Sequence, residues 1–452
     1  MIAGTPGRTY RHALSEEVED AQNIELPASI RRRTTLLGIL HARGANDRAI
    51  ALKNANRIAS IENILKKHQG VLESFRRGNV LAAKRADEAA IRKALASDPK
   101  LAAEYDAAVT EERRLLAEKH KTLERDAMFA WLYTSSQMLT QANVLYRNSI
   151  ERAKPDFDRA DEYTERDRNR LAGTVVKNRR SIEPGSDRAG LRPFLIAAQG
   201  IAPLDKLLAA TAKPTREAQA DALLDQVYGS TNIGDPAAEQ AMFNETNAQL
   251  MARNDSMIAF AAALRTLGDE IDKRDAAYAG ALSRLRPTIL RALRVARAGR
   301  VYPDANSTLR VGFGVVKGYA PRDAVVYAPQ TVIEGVVQKT TGERPFDSPP
   351  RLLEKAAARD FGSYVDPDLG TLPVDFASTN IVTNGSSGSA TLNAYGELCG
   401  LAFDSNWEGV GSDYLVDERV TRTVHVDSRY MLWVMEKVDG ATNLIEELTI
   451  SR

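Results

Sequence analysis

Prolines divide this chain into two kinds of polypeptide. Between Pro27 and Pro155 there is a single one, Pro99, whereas eight of the 18 fall from Pro303 to Pro373. Proline has no main-chain N–H to donate and clashes with the helical turn before it, so the first stretch is free to be helical and the second is not. Glycine agrees, with 15 of 29 in the first 300 residues and 14 in the last 152. A long helical part up to about residue 300, then short strands joined by tight turns, is the expected organisation.

Within the first part Ile58, Ile61, Ile64, Leu65, Val71, Leu72 and Phe75 recur at three- and four-residue steps, with Lys66, Lys67, Arg76 and Arg77 largely between them. That spacing predicts an amphipathic helix. A second helix is expected over 87–96, stopping at Ser97-Asp98-Pro99 and restarting through Leu115, Leu116 and Leu123. Residues 239–267 and 269–298 repeat the style, and the charged stripes on all of them read as solvated faces. The second part opens on the turn cluster Tyr302-Pro303-Asp304-Ala305-Asn306. Strands are expected at 308–316, 331–337, 390–393, 398–403 and 422–426, with Asn393-Ala394-Tyr395-Gly396 as a hairpin turn. Helical patterns close the chain at 430–438 and 444–448.

The charges nearly cancel, 61 Lys+Arg against 60 Asp+Glu, so no nucleic-acid partner and no basic membrane-surface patch is expected. The longest apolar run, 257–264, is far short of the roughly 20 residues that cross a bilayer. A single cysteine, Cys399, excludes an intrachain disulfide and a multi-thiolate metal site. It reads as a small buried hydrophobe, and neither metal nor cofactor is expected. The opening seven residues show no secretory signal.

The stretch that bears chemistry is Thr383-Asn384-Gly385-Ser386-Ser387-Gly388-Ser389-Ala390. A serine between glycines on a tight turn can present its hydroxyl outward while neighbouring N–H groups converge where a tetrahedral oxyanion would form. By themselves these eight residues read more readily as a flexible Gly/Ser hairpin loop, since such loops are common and the motif is weak.

Downstream, Leu392-Asn393-Ala394-Tyr395-Gly396-Glu397-Leu398 and Gly400-Leu401-Ala402-Phe403-Asp404-Ser405-Asn406-Trp407-Glu408 resemble the bacterial dipeptidyl-peptidases 7 and 11, serine exopeptidases of chymotrypsin-like fold with an inserted helical domain. Asp413, Val426-Asp427 and Arg429-Tyr430 also resemble that family, as do the 302–310 block and Gly4-Thr5-Pro6-Gly7-Arg8-Thr9 with Arg11. The resemblance implies an α+β multidomain protein. Residues 1–12 would be the end of a first-barrel region, 13–300 a helical cap domain, and 301–452 a Ser-bearing antiparallel β-barrel with C-terminal helices.

The resemblance also implies roles. Ser387 would be the nucleophile, with the N–H groups of Gly385 and Ser387 as the oxyanion site. Asp404 would hold the substrate's free α-ammonium group, assisted by Asn63, and Ser405 would face the side chain before the cut bond. Being uncharged, Ser405 implies a preference for apolar side chains. Asn384, Ser386 and Ala390 replace the family's first Gly, Asn and Pro, and Ile381 stands where an Asp is usual. Asn384 thus puts a side chain where a glycine conformation is implied.

The family's catalytic His and Asp precede the Ser, in a first barrel. None of His12, His41, His68, His120 and His425 has the family's Thr-Asn-His-His-Cys context. The chain is therefore expected to be truncated at its N-terminus, with the first barrel mostly missing. The function expected is a serine dipeptidyl aminopeptidase acting on peptides with a free N-terminus, periplasmic or at the cell surface. Its alternative is an inactive peptidase-fold protein that binds peptides or partners. Whether two chains pair as a homodimer is left open.

Overall fold

A computed structural model describes residues 1–299, 301–343 and 345–451. The chain forms two compact units, one of residues 1–24, 67–97 and 293–452, the other of 25–66 and 98–292. Residues 13–24 and 67–97, expected in the helical domain, thus belong with the sheet.

The helical unit is built from amphipathic helices whose apolar stripes meet in one core. Leu26–Gly44, Gln137–Glu151, Pro184–Ala197 and Arg216–Gly229 are among them. Leu36, Leu40, Leu132, Leu139, Leu145, Leu191 and Leu195 are fully buried. Asp98 starts the helix Pro99–His120 by accepting the Leu101 N–H at 3.0 Å, a side-chain cap on an otherwise orphan donor. The two helices expected over 239–298 are three, Pro236–Asn244, Asn247–Ala252 and Ser256–Ala296.

Among the described residues nine strands make up the β structure: β1 Ile2–Gly4, β2 Arg310–Gly312, β3 Tyr319–Arg322, β4 Val325–Tyr327, β5 Gln330–Val332, β6 Pro373–Ser378, β7 Ser389–Leu392, β8 Leu398–Ser405 and β9 Thr423–Asp427. Seven form one antiparallel sheet in the order β2-β1-β7-β8-β9-β6-β5, and β3 and β4 form a separate hairpin. A single bridge, Val316 to Ser378, returns the segment after β2 toward β6. Among the described residues the sheet does not close, which corrects the expected barrel. β1 lies inside this sheet, Ile2 opposite both Gly312 and Thr391.

The hairpin between β7 and β8 turns where expected, with Gly396 at φ +83° and the Asn393 side chain accepting the Tyr395 and Glu397 N–H groups at 2.9 and 3.1 Å. The strand expected over 331–337 stops at Val332, and Ile333–Lys339 is a helix. Its apolar positions Ile333, Val336 and Val337 follow helical spacing, and Ile333 and Val336 join a core around Trp433.

Candidate active site

The serine turn is shaped by two left-handed glycines, Gly385 at φ +95° and Gly388 at φ +81°. Asn384 is not in that region, so the side chain replacing the family's glycine is accommodated and the left-handed residue is its neighbour. Close packing explains why Gly385 must be glycine: a Cβ there would lie 2.8 Å from the Thr5 carbonyl oxygen and 3.2 Å from the Gly7 nitrogen. The Gly7 N–H in turn donates to the Asn384 carbonyl at 2.6 Å, and the Gly388 N–H to the Ala402 carbonyl at 2.7 Å. N-terminal segment and β8 therefore grip the turn from two sides.

Ser386 is buried and Ser387 exposed. The Ser387 hydroxyl lies 3.4 Å from the Phe403 carbonyl oxygen, longer than a settled O–H···O bond. The N–H groups of Gly385 and Ser387, both on exposed residues, have no acceptor among the described residues. Two open donors flanking an exposed hydroxyl are what acyl transfer through a tetrahedral oxyanion requires.

A bulge sets the facing strand. Ala402 pairs with His425 and Asp404 with Val424, so Phe403 is the extra residue, and such an insertion re-aims the side chains beyond it. Asp404 is exposed, and its Oδ1 accepts the Ser405 N–H at 2.8 Å. Asn406 clips this strand end to β9: it donates its main-chain N–H to the Arg422 carbonyl at 3.1 Å and accepts the Arg422 N–H at 2.8 Å. Arg422, 2% exposed, donates to the carbonyls of Lys317, Gly318, Glu418, Arg419 and Thr421. Trp407 packs across Gly70 and donates its indole N–H to Glu73 at 3.1 Å. The Lys67 ammonium pairs with buried Asp413 at 2.8 Å.

The sequence blocks at 4–11 and 302–310, some 300 residues apart in the chain, meet here. Thr9 Oγ1 and the Arg11 N–H donate to Asp304 Oδ1 at 2.6 and 2.7 Å, and the Ser307 N–H reaches the Pro6 carbonyl at 2.9 Å.

Peptidase S46 matches residues 1–450. The chain belongs to the peptidase S46 family. It is 34% identical to an Asp/Glu-specific dipeptidyl-peptidase of Shewanella putrefaciens over all of this chain and 65% of that relative. With dipeptidyl-peptidase 7 of Phocaeicola vulgatus it shares 28% over all of this chain and 62% of the relative. It resembles the crystal structure of Porphyromonas endodontalis DPP11 in complex with substrate at a TM-score of 0.77 and 25% identity, over 99% of this chain and 63% of that one. The chain thus spans about 65% of the length of such S46 relatives.

Ser387, Asp404 and Ser405 fall in one unit of the S46 fold, and Ser405 is half-buried opposite Thr423. Asn63 is an exposed residue of the helix Arg48–Gly78 and belongs to the other unit. Of the histidines that share the unit of Ser387, namely His12, His68 and His425, none hydrogen-bonds it. His425 is fully buried. Its Nε2 lies 2.7 Å from Ser378 Oγ, its Nδ1 2.8 Å from Thr391 Oγ1, and its ring stacks on Phe376 at 4.6 Å. Burial pushes its pKa down to about 4, so it is a neutral structural residue. Cys399 is half-buried, its thiol pKa raised by burial. Among the described residues no cluster of His, Cys, Asp and Glu could hold a metal ion, and no helix is long and apolar enough to cross a membrane.

The Phe403 bulge was not identified from the sequence. Nothing in a run such as Ala402-Phe403-Asp404 marks a bulge.

Proposed function

We propose that this chain carries the nucleophile and amine-recognition side of a serine dipeptidyl peptidase that releases dipeptides from free peptide N-termini. The observation that carries the reading is Ser387, exposed between two left-handed glycines with the Gly385 and Ser387 N–H groups unpaired. Ser387 Oγ would attack the second peptide carbonyl, and the two N–H groups would stabilise the resulting oxyanion. Asp404 would pair with the substrate ammonium, so that the distance between Asp404 and Ser387 counts off two residues. The base that takes the serine proton, and the carboxylate that orients it, are assigned to residues beyond those described around Ser387. The family resemblance supports a periplasmic or cell-surface setting.

On side-chain preference two observations pull apart. The uncharged Ser405 supports an apolar side chain before the cut, because it cannot compensate a desolvated carboxylate. The 34% identical relative is an Asp/Glu-specific dipeptidyl-peptidase, which supports an acidic one. An inactive peptide-binding protein is the second reading, favoured by the absence, among the described residues, of a histidine bonded to Ser387.

The experiment is cleavage of a free-amine hexapeptide and its N-acetylated form, followed by mass spectrometry, for the protein that joins this chain to the residues supplying the base, and for its Ser387→Ala and Asp404→Ala variants. Dipeptide release from the free-amine peptide alone is expected, abolished by Ser387→Ala. Asp404→Ala should cost about 1.5–3 kcal/mol, roughly 10- to 150-fold in kcat/KM. Equal cleavage of blocked and free peptides would end the exopeptidase reading. Binding of the free-amine peptide without cleavage would establish the inactive one. The ratio of rates on Leu and Asp substrates decides the preference.

A further inference from the structure

Beside the serine turn lies a cavity of about 750 Å³ whose wall includes Ser386, the residue between the two open N–H groups. Its charged lining is lopsided. Arg11, Arg310 and Lys317 face a single carboxylate, Glu418, which already accepts the Tyr302 hydroxyl. None of the three cations forms an ion pair among the described residues. Arg11 donates to the Ser412 and Pro303 carbonyls at 3.1 and 2.9 Å, and the nearby carboxylates of Asp304 and Asp413 offset its charge, which leaves Arg310 and Lys317 as the cations in excess. Arg310 donates to the Asp304 carbonyl and the Asn306 amide oxygen at 3.1 and 2.9 Å, and its Nε is buried without a partner. Lys317 is exposed at the rim.

A second unpaired atom is an acceptor. Asn380 is 4% exposed, and while its Nδ2 donates to Ser378 Oγ at 3.0 Å, its Oδ1 has no partner. That buried oxygen lies 3.4 Å from where a side chain at position 312 would begin, and Gly312, which also lines the cavity, places no side chain between it and the cavity. Unpaired buried donors and acceptors cost free energy unless a ligand or water meets them. Ile2, Val311 and Phe313 supply an apolar wall.

We propose that this cavity binds the C-terminal residue of a short apolar peptide. The carboxylate faces Arg310 and Lys317, the adjacent peptide N–H meets Asn380 Oδ1, and the side chain lies on the apolar wall. The charge imbalance calls for an anion, and the acceptor beside it calls for an N–H near that anion, which a fatty acid lacks. The occupant reaches the nucleophile turn through Ser386, on the side away from its exposed hydroxyl. This site is separate from the amine site at Asp404 and stands independently of the reading above.

The test is calorimetric titration of the Ser387→Ala chain, which prevents turnover, with Ala-Leu, with its C-terminal amide, and with a hexapeptide ending in Ala-Leu. Saturable binding of Ala-Leu is expected, at least about 10-fold weaker for the amide and for Arg310→Met, as loss of a charge-assisted contact implies. Lys317→Gln, at an exposed position, should weaken it several-fold even if Arg310→Met does not fold. Hexapeptide binding as tight as that of the dipeptide would extend the site to any apolar C-terminus. A weaker hexapeptide restricts the site to free dipeptides, and either outcome upholds it. No saturable binding, or equal affinity for acid and amide, overturns the proposal. So does binding that Asp404→Asn abolishes and Arg310→Met leaves intact, an outcome that moves the dipeptide to the amine site and leaves the peptidase reading standing.

Discussion

At the scale of single residues, Gly385 is the position where backbone conformation and crowding coincide. Its φ of +95° is costly for any L side chain, and its missing Cβ would press on the Thr5 carbonyl at 2.8 Å. Gly396, at φ +83°, has open space around it. Gly385→Ala is therefore expected to lower stability by about 1–3 kcal/mol and to move the turn, and Gly396→Ala by about 1 kcal/mol without effect on Ser387. Thermal melts of both variants, with labelling of Ser387 by a fluorophosphonate in the protein that includes the base, check this. The glycines around Ser387 made the turn legible in the sequence. Spacing alone could not say which of Asn384 and Gly385 takes the left-handed conformation, because that depends on the Thr5–Gly7 segment pressing from the other end of the chain.

At the scale of elements, the start of the helix Gln137–Glu151 shows what periodicity leaves out. Asp187, fully buried, accepts from Ser136 Oγ at 2.5 Å, the Gln137 N–H at 2.6 Å and Tyr228 OH at 2.7 Å, with the Arg57 guanidinium 3.5 Å away. Ser136 caps the same helix through the Leu139 N–H at 3.0 Å. Asp187→Ala leaves a buried arginine and several donors unpaired and should cost about 3–5 kcal/mol, whereas Ser136→Ala should cost about 1 kcal/mol. Urea denaturation ranks them; equal effects would mean that the carboxylate is no more than a cap. The helices were legible because apolar residues mark their buried faces. The buried charges were not: Asp187, Glu112 and Glu239 are all 0% exposed, yet their residue type reads as solvent-facing. Only tertiary partners, such as Arg179 at 3.3 Å from Glu239, reveal them.

At the scale of the whole molecule, two groups in the sheet shape stability against pH in opposite directions. His425 keeps its neutral form down to about pH 4 in the folded chain, while the unfolded chain protonates near pH 6.5, so stability falls as pH drops through that window, by up to about 3 kcal/mol. Burial raises Asp375 to about 6. The unfolded carboxyl ionises near pH 4, so stability also falls as pH rises from about 4 to 6, and Asp375→Asn should gain about 1–2 kcal/mol at pH 7 after allowance for its partial exposure. Urea midpoints between pH 4 and 8 are expected to show a shallower acid limb for His425→Gln and a higher neutral plateau for Asp375→Asn. The two-part organisation was legible from proline and glycine, but β1 was not, since three residues carry no periodic signal. The placement of β1 between β2 and β7 bears on how the chain is made. Its partners emerge from the ribosome some 300 residues later, on the order of tens of seconds at ordinary elongation rates. The helical unit is complete at residue 292 and can fold in that interval. Until then β1 must wait unpaired, and the serine turn it braces takes shape only after the helical unit can have folded.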